Sequence, residues 1–507
     1  LVYDSVMSEQ LLYGDGRSLR LAWRHPIDVV WCAAPRIAPV ANARLAARRA
    51  VEAPVDYPPL SALLAPEDRV AIAVEPGVPE AAAIVQGVID ALSASGVQRG
   101  QVAVVRASAE PLGSGVREVL HRATDADSLA YLAATDDAHP IYLNRVLYDA
   151  DLVIPIGLRR PNHSYGYLGS PGGIYPLFSD AAAQFRLLPT SPGDWRRHGQ
   201  ARRWEADHVA WQLGVQFRIE AVPGAHGQLA HVVGGQTDSV TRHTRRWMLD
   251  AWGQRLSQQV GIAVAAIENP SSDLVWEDIQ RAFYTAARLV GDQGVIVVCS
   301  NVDTPPLPVL RPATAVDPGD PPDASDEDVA SSLLDSVLPD ESLEESRDDS
   351  PDDSPDDSSW DASRDSKRKS RGRSRAGASG KSGGRTSGGR TSDKTAGRTS
   401  GRTGGRTGTR SGTRSGAGAG HDGLDDPRDP GSTRESELHP VRELLAELGE
   451  SRRLYLMSDL PRDLVEELGC MPVETDEEIV LLARPFDTGV VIANAEYAHL
   501  SLAREEE

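Results

Sequence analysis

Residues 141–176 read IYLNRVLYDADLVIPIGLRRPNHSYGYLGSPGGIYP. The run Leu152-Val153-Ile154-Pro155-Ile156 is apolar at every position, which predicts a strand covered on both faces, as in a parallel sheet. Gly157 ends it. A polar loop follows, with Arg159, Arg160, Asn162, His163, Tyr165 and Tyr167 crowded among Gly157, Gly166 and Gly169, and the Gly172-Gly173 pair just beyond. In α/β folds ligands dock at the loop that leaves the carboxyl end of a parallel strand. A tight connection packed by its own aromatics has the same composition, so the loop reads as a candidate site or as plain packing.

Upstream, Val70 to Val74 predicts a strand. Ala81, Ile84, Val85, Val88, Ile89 and Leu92 then recur at helical spacing, and Gly96 stops the helix. Val102 to Val105 is the next strand, which makes a right-handed βαβ crossover. Two loops of this unit can carry chemistry, Glu75-Pro76-Gly77-Val78-Pro79 and Ser108 to Gly115. In the second, Gly113-Ser114-Gly115 precedes an expected helix, Val116 to Ala123. It offers either backbone N–H groups to an anion or Ser114 as a helix cap.

Further along, Trp204, His208 and Trp211 fall at helical spacing among many arginines. That pattern predicts a packed aromatic face with a solvated basic face opposite, nucleic-acid contact being the alternative. Asp273 to Val290 predicts a helix leading to the strand Val295 to Val298. Near the end, Leu438 to Gly449 reads as a helix and Leu454 to Met457 as a strand. A helix at Leu464 to Gly469 is expected to be capped by Ser458 or Asp459. Ile479 to Leu482 and Val490 to Ala493 are strand candidates. The short C-terminal piece is expected to complete the sheet begun near Val295.

At 507 residues the chain is long enough for two globular units, and 40% apolar content suffices for sizeable cores. Three distant cysteines, Cys32, Cys299 and Cys470, show no metal or disulfide spacing, which points to a reducing compartment. No targeting or membrane-spanning run is present, so the expectation is a soluble, cytoplasmic protein. The net charge of −21 hides a sharp asymmetry. Asp317 to Asp365 is acidic and rich in Ser and Pro, whereas residues 366–415 are built of Arg, Gly, Ser and Thr. Neither tract can bury enough apolar surface to offset its ordering entropy, so both are expected to be disordered.

The stretch LNRVLYDADLVIPIG…NHSYGYLGSPGG resembles the nickel-dependent lactate racemase (LarA-like) family, whose corresponding strand enters a His-containing, Tyr/Gly-rich loop. Leu12 to Gly16 is similar to the family's opening Tyr-Gly hairpin, and Pro59 to Gly96 to its first βα unit. Phe283 to Ser300 and Leu454 to Leu468 are similar to parts of its second half. The resemblance implies a 2-hydroxy acid racemase or epimerase (an isomerase) with a nickel pincer nucleotide as cofactor. It implies His163 as one catalytic histidine and Gly172 and Gly173 as cofactor contacts.

Several positions depart from the family's pattern. Glu75 and its neighbours replace the phosphate-holding Thr and Arg. Glu110, Pro111 and Leu112 stand where a catalytic His-Arg pair belongs, and Ile174-Tyr175 replaces Arg-Lys. Glu277, Asp278 and Arg281 replace a Tyr-Gln…Lys group. No histidine follows between Ser179 and Trp195, where the nickel ligand is expected. The chain's only lysines, Lys367, Lys369, Lys381 and Lys394, all lie in the basic tract, so neither folded part offers a cofactor tether.

These readings combine into two α/β domains with a cleft between them and a long disordered linker inserted in the second. The boundaries are 1–258 for the first domain, 259–310 and 438–507 for the two parts of the second, and 311–437 for the linker. His163 is the catalytic candidate and no metal ligand is assigned. Arg159, Arg160, Tyr165, Tyr167 and Arg281 are candidates for binding a small carboxylate or 2-hydroxy acid. Three functions stay open: a LarA-like isomerase with an eroded cofactor site and altered or lost activity, a non-catalytic small-carboxylate binding module, and an interaction protein whose residues 366–415 contact nucleic acid or an acidic partner.

Overall fold

The apolar runs within Val70–Val74, Leu152–Leu158, Val260–Ala266 and, from Val295 to Cys299, within Val290–Cys299 lie at the centres of two six-stranded sheets. These come from a computed structural model describing residues 10–23, 25–135, 137–160, 173–188, 192–268, 275–306, 309–310, 437–438 and 440–503. All of them fall in one compact unit, Leu1–Asp317 with Pro430–Glu507. His163, Tyr165, Tyr167, Gly172 and the acidic and basic tracts lie outside the described residues.

The first sheet runs in the order Leu229–Gln236, Phe217–Pro223, Leu152–Leu158, Val70–Val74, Val102–Arg106, Arg117–Leu120. It is parallel except for the hairpin that forms its first edge. The second runs Met471–Pro472, Arg453–Met457, Val290–Cys299, Val260–Ala266, Thr488–Ile492, Asp28–Cys32 and is parallel throughout. Each sheet is covered on both faces. Ile72 and Val74 enter one core while Ala71 and Ala73 enter another, and Ala263 and Ala265 are likewise opposed to Ile262, Val264 and Ala266. A residue period of two with apolar packing on both sides is why these strands read as continuous rather than alternating.

The sheets do not follow the boundary drawn at residue 258. The antiparallel hairpin Gln10–Tyr13 and Arg17–Arg20 packs Leu11 and Leu19 against the second sheet, and Asp28–Cys32 is that sheet's edge strand. The chain therefore starts in the second lobe, builds the first, and returns. From Pro440 onward it adds three more strands to the second lobe. A parallel pair, Gly253–Leu256 with His499–Leu502, ties the crossing segment to the chain's end.

Five local expectations are corrected. The expected helix at Val116 to Ala123 is instead the edge strand Arg117–Leu120. Ser114 is no cap. Its N–H and that of Leu112 donate to the Glu118 carboxylate at 2.7 and 3.0 Å, so the anion these amides hold is the chain's own. Ile479 to Leu482 is the end of a helix, Asp476–Leu482, whose cap Thr475 accepts from the Glu478 N–H at 3.2 Å. The Thr-x-x-Glu spacing of a capping box outweighed the β-branched run there. The helix Arg462–Glu467 follows Pro461 and has no side-chain cap, because Asp459 is engaged with Arg17 at 2.6 Å. Finally, Trp204 and Trp211 are not packed inward. They are 60% and 72% exposed on the helix Pro192–Leu213 and sandwich His208 with ring separations of 5.3 and 5.9 Å.

Because Arg453–Met457 and Thr488–Ile492 are internal strands of a sheet begun before the linker, proteolytic cutting between Asp317 and Arg434 is expected to leave two fragments that co-elute on a sizing column. Separation without denaturant would contradict the shared sheet.

Candidate functional site

The strand Val70–Val74 delivers Glu75 to its carboxyl end, and the strand Leu152–Leu158 delivers Arg159 and Arg160 beside it. The Glu75 amide donates to Ile156 O at 3.0 Å, which continues the ladder and turns the side chain inward. Glu75 is 1% exposed. Its Oε2 accepts from the Leu158 N–H at 3.0 Å and its Oε1 from Arg160 Nη1 at 3.3 Å. Gly157 and Gly173 lie against the same carboxylate. A Cβ on Gly157 would sit 2.7 Å from Glu75 Oε2, and one on Gly173 3.6 Å away. Gly173, expected to touch a cofactor, thus faces the protein's own acid.

Successive residues leaving a strand point to opposite sides. Arg160 turns toward Glu75 and toward Arg281, Asp278 and Tyr497 of the second lobe. Burial, and next the Arg281 charge, pull its guanidinium below the usual range, against Glu75. Arg159, whose N–H donates to Ala221 O at 2.8 Å, is also buried, but among Glu220, Arg218 and Arg245. Glu220 pairs with Arg218 at 2.9 Å and accepts from the Thr244 hydroxyl. The two arginines are therefore neither solvated surface charges nor one fork.

The second lobe contributes the helix Val275–Ala287 and the turn after Thr488–Ile492. Asp278 and Arg281 pair one turn apart, both buried. Asn494, Glu496 and Tyr497 line the turn; Asn494 holds a left-handed backbone, φ 48°. Burial, and then the charge of Asp278, push the Glu496 carboxyl up to about 8. The Nε–H groups of Arg160 and Arg281, Oε2 of Glu496 and Oδ1 of Asn494 are buried with no hydrogen-bond partner among the described residues. A further link joins the lobes, from His226 Nδ1 to Glu268 Oε2 at 2.5 Å.

Of the residues named from sequence, Arg159, Arg160, Arg281 and Gly173 lie among the described ones, and the fold brings Arg160, Arg281 and Gly173 to one seam. Glu268, Glu496, Asn494 and His226 were not singled out from sequence. A signal existed for Glu268, which closes the apolar run Val260–Ala266 much as Glu75 closes Val70–Val74.

Among the described residues, this seam does not offer what a nickel pincer nucleotide needs. Among the described residues no group of three His, Cys, Asp or Glu side chains is placed to hold a metal. Burial pushes the thiols of Cys32, Cys299 and Cys470 up to about 12, far from the thiolate a metal needs. The Leu158 amide and the Arg160 guanidinium, donors of the kind a phosphate uses, hold Glu75 instead.

The lactate racemase N-terminal domain family matches residues 24–183. No curated protein matches the chain. Among solved structures, the lactate racemase apoprotein from Thermoanaerobacterium thermosaccharolyticum is similar at a TM-score of 0.56 and 10% identity, covering 97% of this chain and 99% of that one. A Thermotoga maritima protein covers 50% of this chain and 69% of its own at 13% identity, with a TM-score of 0.35, too low to establish a common fold. Among the described residues no helix is long and apolar enough to cross a membrane. The N-terminal match and the full-length likeness in fold make the chain similar to LarA-like proteins over its first part and in its architecture.

Proposed function

We propose that this LarA-like chain binds a small carboxylate, of the 2-hydroxy acid class, in the seam between its two sheets, and that it does not carry out nickel-pincer racemisation. The observation that carries this reading is the pair of guanidinium Nε–H groups, on Arg160 and Arg281, buried without an acceptor among the described residues. An unsatisfied buried donor costs about 1–3 kcal/mol, more when charged, and a carboxylate supplies the acceptors. Glu75 and Asp278 each meet one of these arginines but leave its Nε unused. His163, Tyr165, Tyr167, Gly172 and Gly173 are proposed as further parts of this binding site, with Arg159 buried on the other side of the strand.

Three outcomes are expected. Removing Arg160 alone would strand Glu75 in a buried site, so the informative variant is Arg160→Met with Glu75→Gln. Calorimetric titration with 2-hydroxy acids should show a loss of roughly 2–5 kcal/mol against wild type, the scale for a buried charged contact. Unchanged affinity would move the site elsewhere.

Protein made alongside the enzymes that synthesise the nickel cofactor should carry no stoichiometric nickel and should leave lactate enantiomers unconverted. Near-equimolar nickel with a bound nucleotide would overturn the eroded-site reading.

The third concerns Glu496. In the folded chain it keeps its proton to about pH 8, against a usual value of 4.5. Between those limits the folded state binds more protons than the unfolded, so stability falls as pH rises through the window. Glu496→Gln abolishes that titration. Its urea midpoint relative to wild type should rise from pH 5 to pH 8, and a constant difference would show that Glu496 ionises normally.

A further inference from the structure

The seam stands at the carboxyl ends of the first sheet's strands. At the opposite, amino ends, Val70–Val74, Val102–Arg106 and Arg117–Leu120 open into a cleft of about 420 Å³. That volume falls within the roughly 300–1,000 Å³ of small-molecule pockets. Register explains the opening. Ala71 pairs with Ala103, and Ala103 with Arg117, so these three side chains form a row on one face of the sheet. Two alanines in the row leave space that larger side chains would fill. Val119, two residues past Arg117, shares the face. Val146, from the helix Arg145–Tyr148, and Ala150, just after it, also line the cleft. Ala103, Val119, Val146 and Ala150 are each half-buried, so apolar surface stays open to water inside a concavity.

Three arginines stand around this apolar floor, and they are used differently. Arg69 pairs with Asp151 at 3.3 Å. Arg145 donates to Leu129 O at 2.6 Å and to Asp127 O at 3.3 Å, carbonyls that fix its position and leave its charge uncompensated. Arg117 makes no hydrogen bond or ion pair among the described residues. Elsewhere the exposed Arg17, Arg44 and Arg462 hold acids of this chain at 2.6, 2.6 and 2.5 Å, and at a net charge of −21 acids are plentiful. Two guanidiniums at one cleft with no carboxylate partner therefore suit an acceptor from outside. Asp127 and Asp149 also line the cleft and set the charge that fits. Their repulsion doubles for a dianion, whereas a single negative charge is matched by Arg117 and Arg145.

We propose that this cleft is a second binding site, for a monocarboxylate with an aromatic or branched apolar body. The carboxylate accepts from Arg117 and Arg145, and the body covers Ala103, Val119, Val146 and Ala150. Removal of that apolar surface from water drives binding, and the guanidiniums fix the orientation. The site goes beyond the seam and uses none of its residues. The two stand at opposite ends of Val70–Val74, about 13 Å of strand apart. A hydroxyl next to the carboxylate has no role here, so the ligand class differs from the one proposed for the seam.

The test is calorimetric titration of 3-phenylpropanoate, and of 3-phenylpropylammonium as the same body with the opposite charge. Wild type, Arg117→Gln, Ala103→Leu and the seam variant Arg160→Met with Glu75→Gln are compared. Wild type should bind the acid saturably and the ammonium about tenfold more weakly or worse. Loss of one charged hydrogen-bond donor corresponds to about tenfold, so Arg117→Gln should weaken the acid by that factor. Arg117 holds nothing else in the fold, so the thermal midpoint of this variant should match wild type. Ala103→Leu should remove binding by filling the cleft, and where it lowers the thermal midpoint Arg117→Gln decides alone. The seam variant should keep the wild-type affinity. Full affinity in Arg117→Gln, or loss in the seam variant alone, places the acid elsewhere and overturns the second site while leaving the seam reading intact. Tighter binding of the ammonium assigns the cleft to Asp127 and Asp149 and overturns the ligand class. If wild type does not bind the acid, the second site fails, and the seam, tested with 2-hydroxy acids, is unaffected.

Discussion

Glu75 and Arg160 are each almost fully buried where the two sheets meet, and their 3.3 Å contact constrains everything around it. Taking two ions out of water costs several kcal/mol each, repaid only when geometry is good and the remaining polar atoms are satisfied. Glu75 meets that demand with the Leu158 amide as a second donor, which is available because Leu152–Leu158 is the next strand of the same parallel sheet. The Arg160 head has Glu75 on one side and the Arg281–Asp278 pair on the other. The pair is weak evidence for stability, since its Coulombic gain is set against the cost of burying both ions.

The same constraint explains how the lobes share one site. Asp278 and Arg281 come from the helix after one strand, and Glu496 and Tyr497 from the turn after another. Tyr497 packs on Trp252 at 5.9 Å, and Trp252 Nε1 donates to Pro223 O at 3.1 Å, which extends the second lobe's turn into the core of the first. All these groups stand at carboxyl ends of parallel strands, where the twist and the connections of α/β sheets leave a crevice.

Where sequence patterns were misread, a particular competitor won. At Leu112 to Glu118 a side-chain carboxylate took the amides that a helix start would have offered, and the segment joined a sheet edge. At Thr475 to Leu482 a capping box prevailed over β-branched composition. The Trp204, His208 and Trp211 stripe keeps its helical spacing, yet it packs against itself in solvent. Periodicity says which residues share a face but not which face is covered.

The sequence alone determined the parallel strands, the βαβ crossover, the family resemblance and the absence of lysine outside the basic tract, because each is written in neighbouring residues or in composition. It also placed Arg159, Arg160 and Arg281 as candidates. Only the tertiary structure decided that Asp28–Cys32 belongs to the second sheet, that Arg159 and Arg160 part company, and that Glu75, Glu268 and Glu496 are buried acids. Charge in a sequence carries no information about burial. The neighbours that bury these acids come from strands that are remote in the chain: Glu75 and Arg160 are 85 residues apart, and His226 and Glu268 are 42. Whether a carboxylate is a solvated surface group or half of an internal ion pair is settled only when those strands pack.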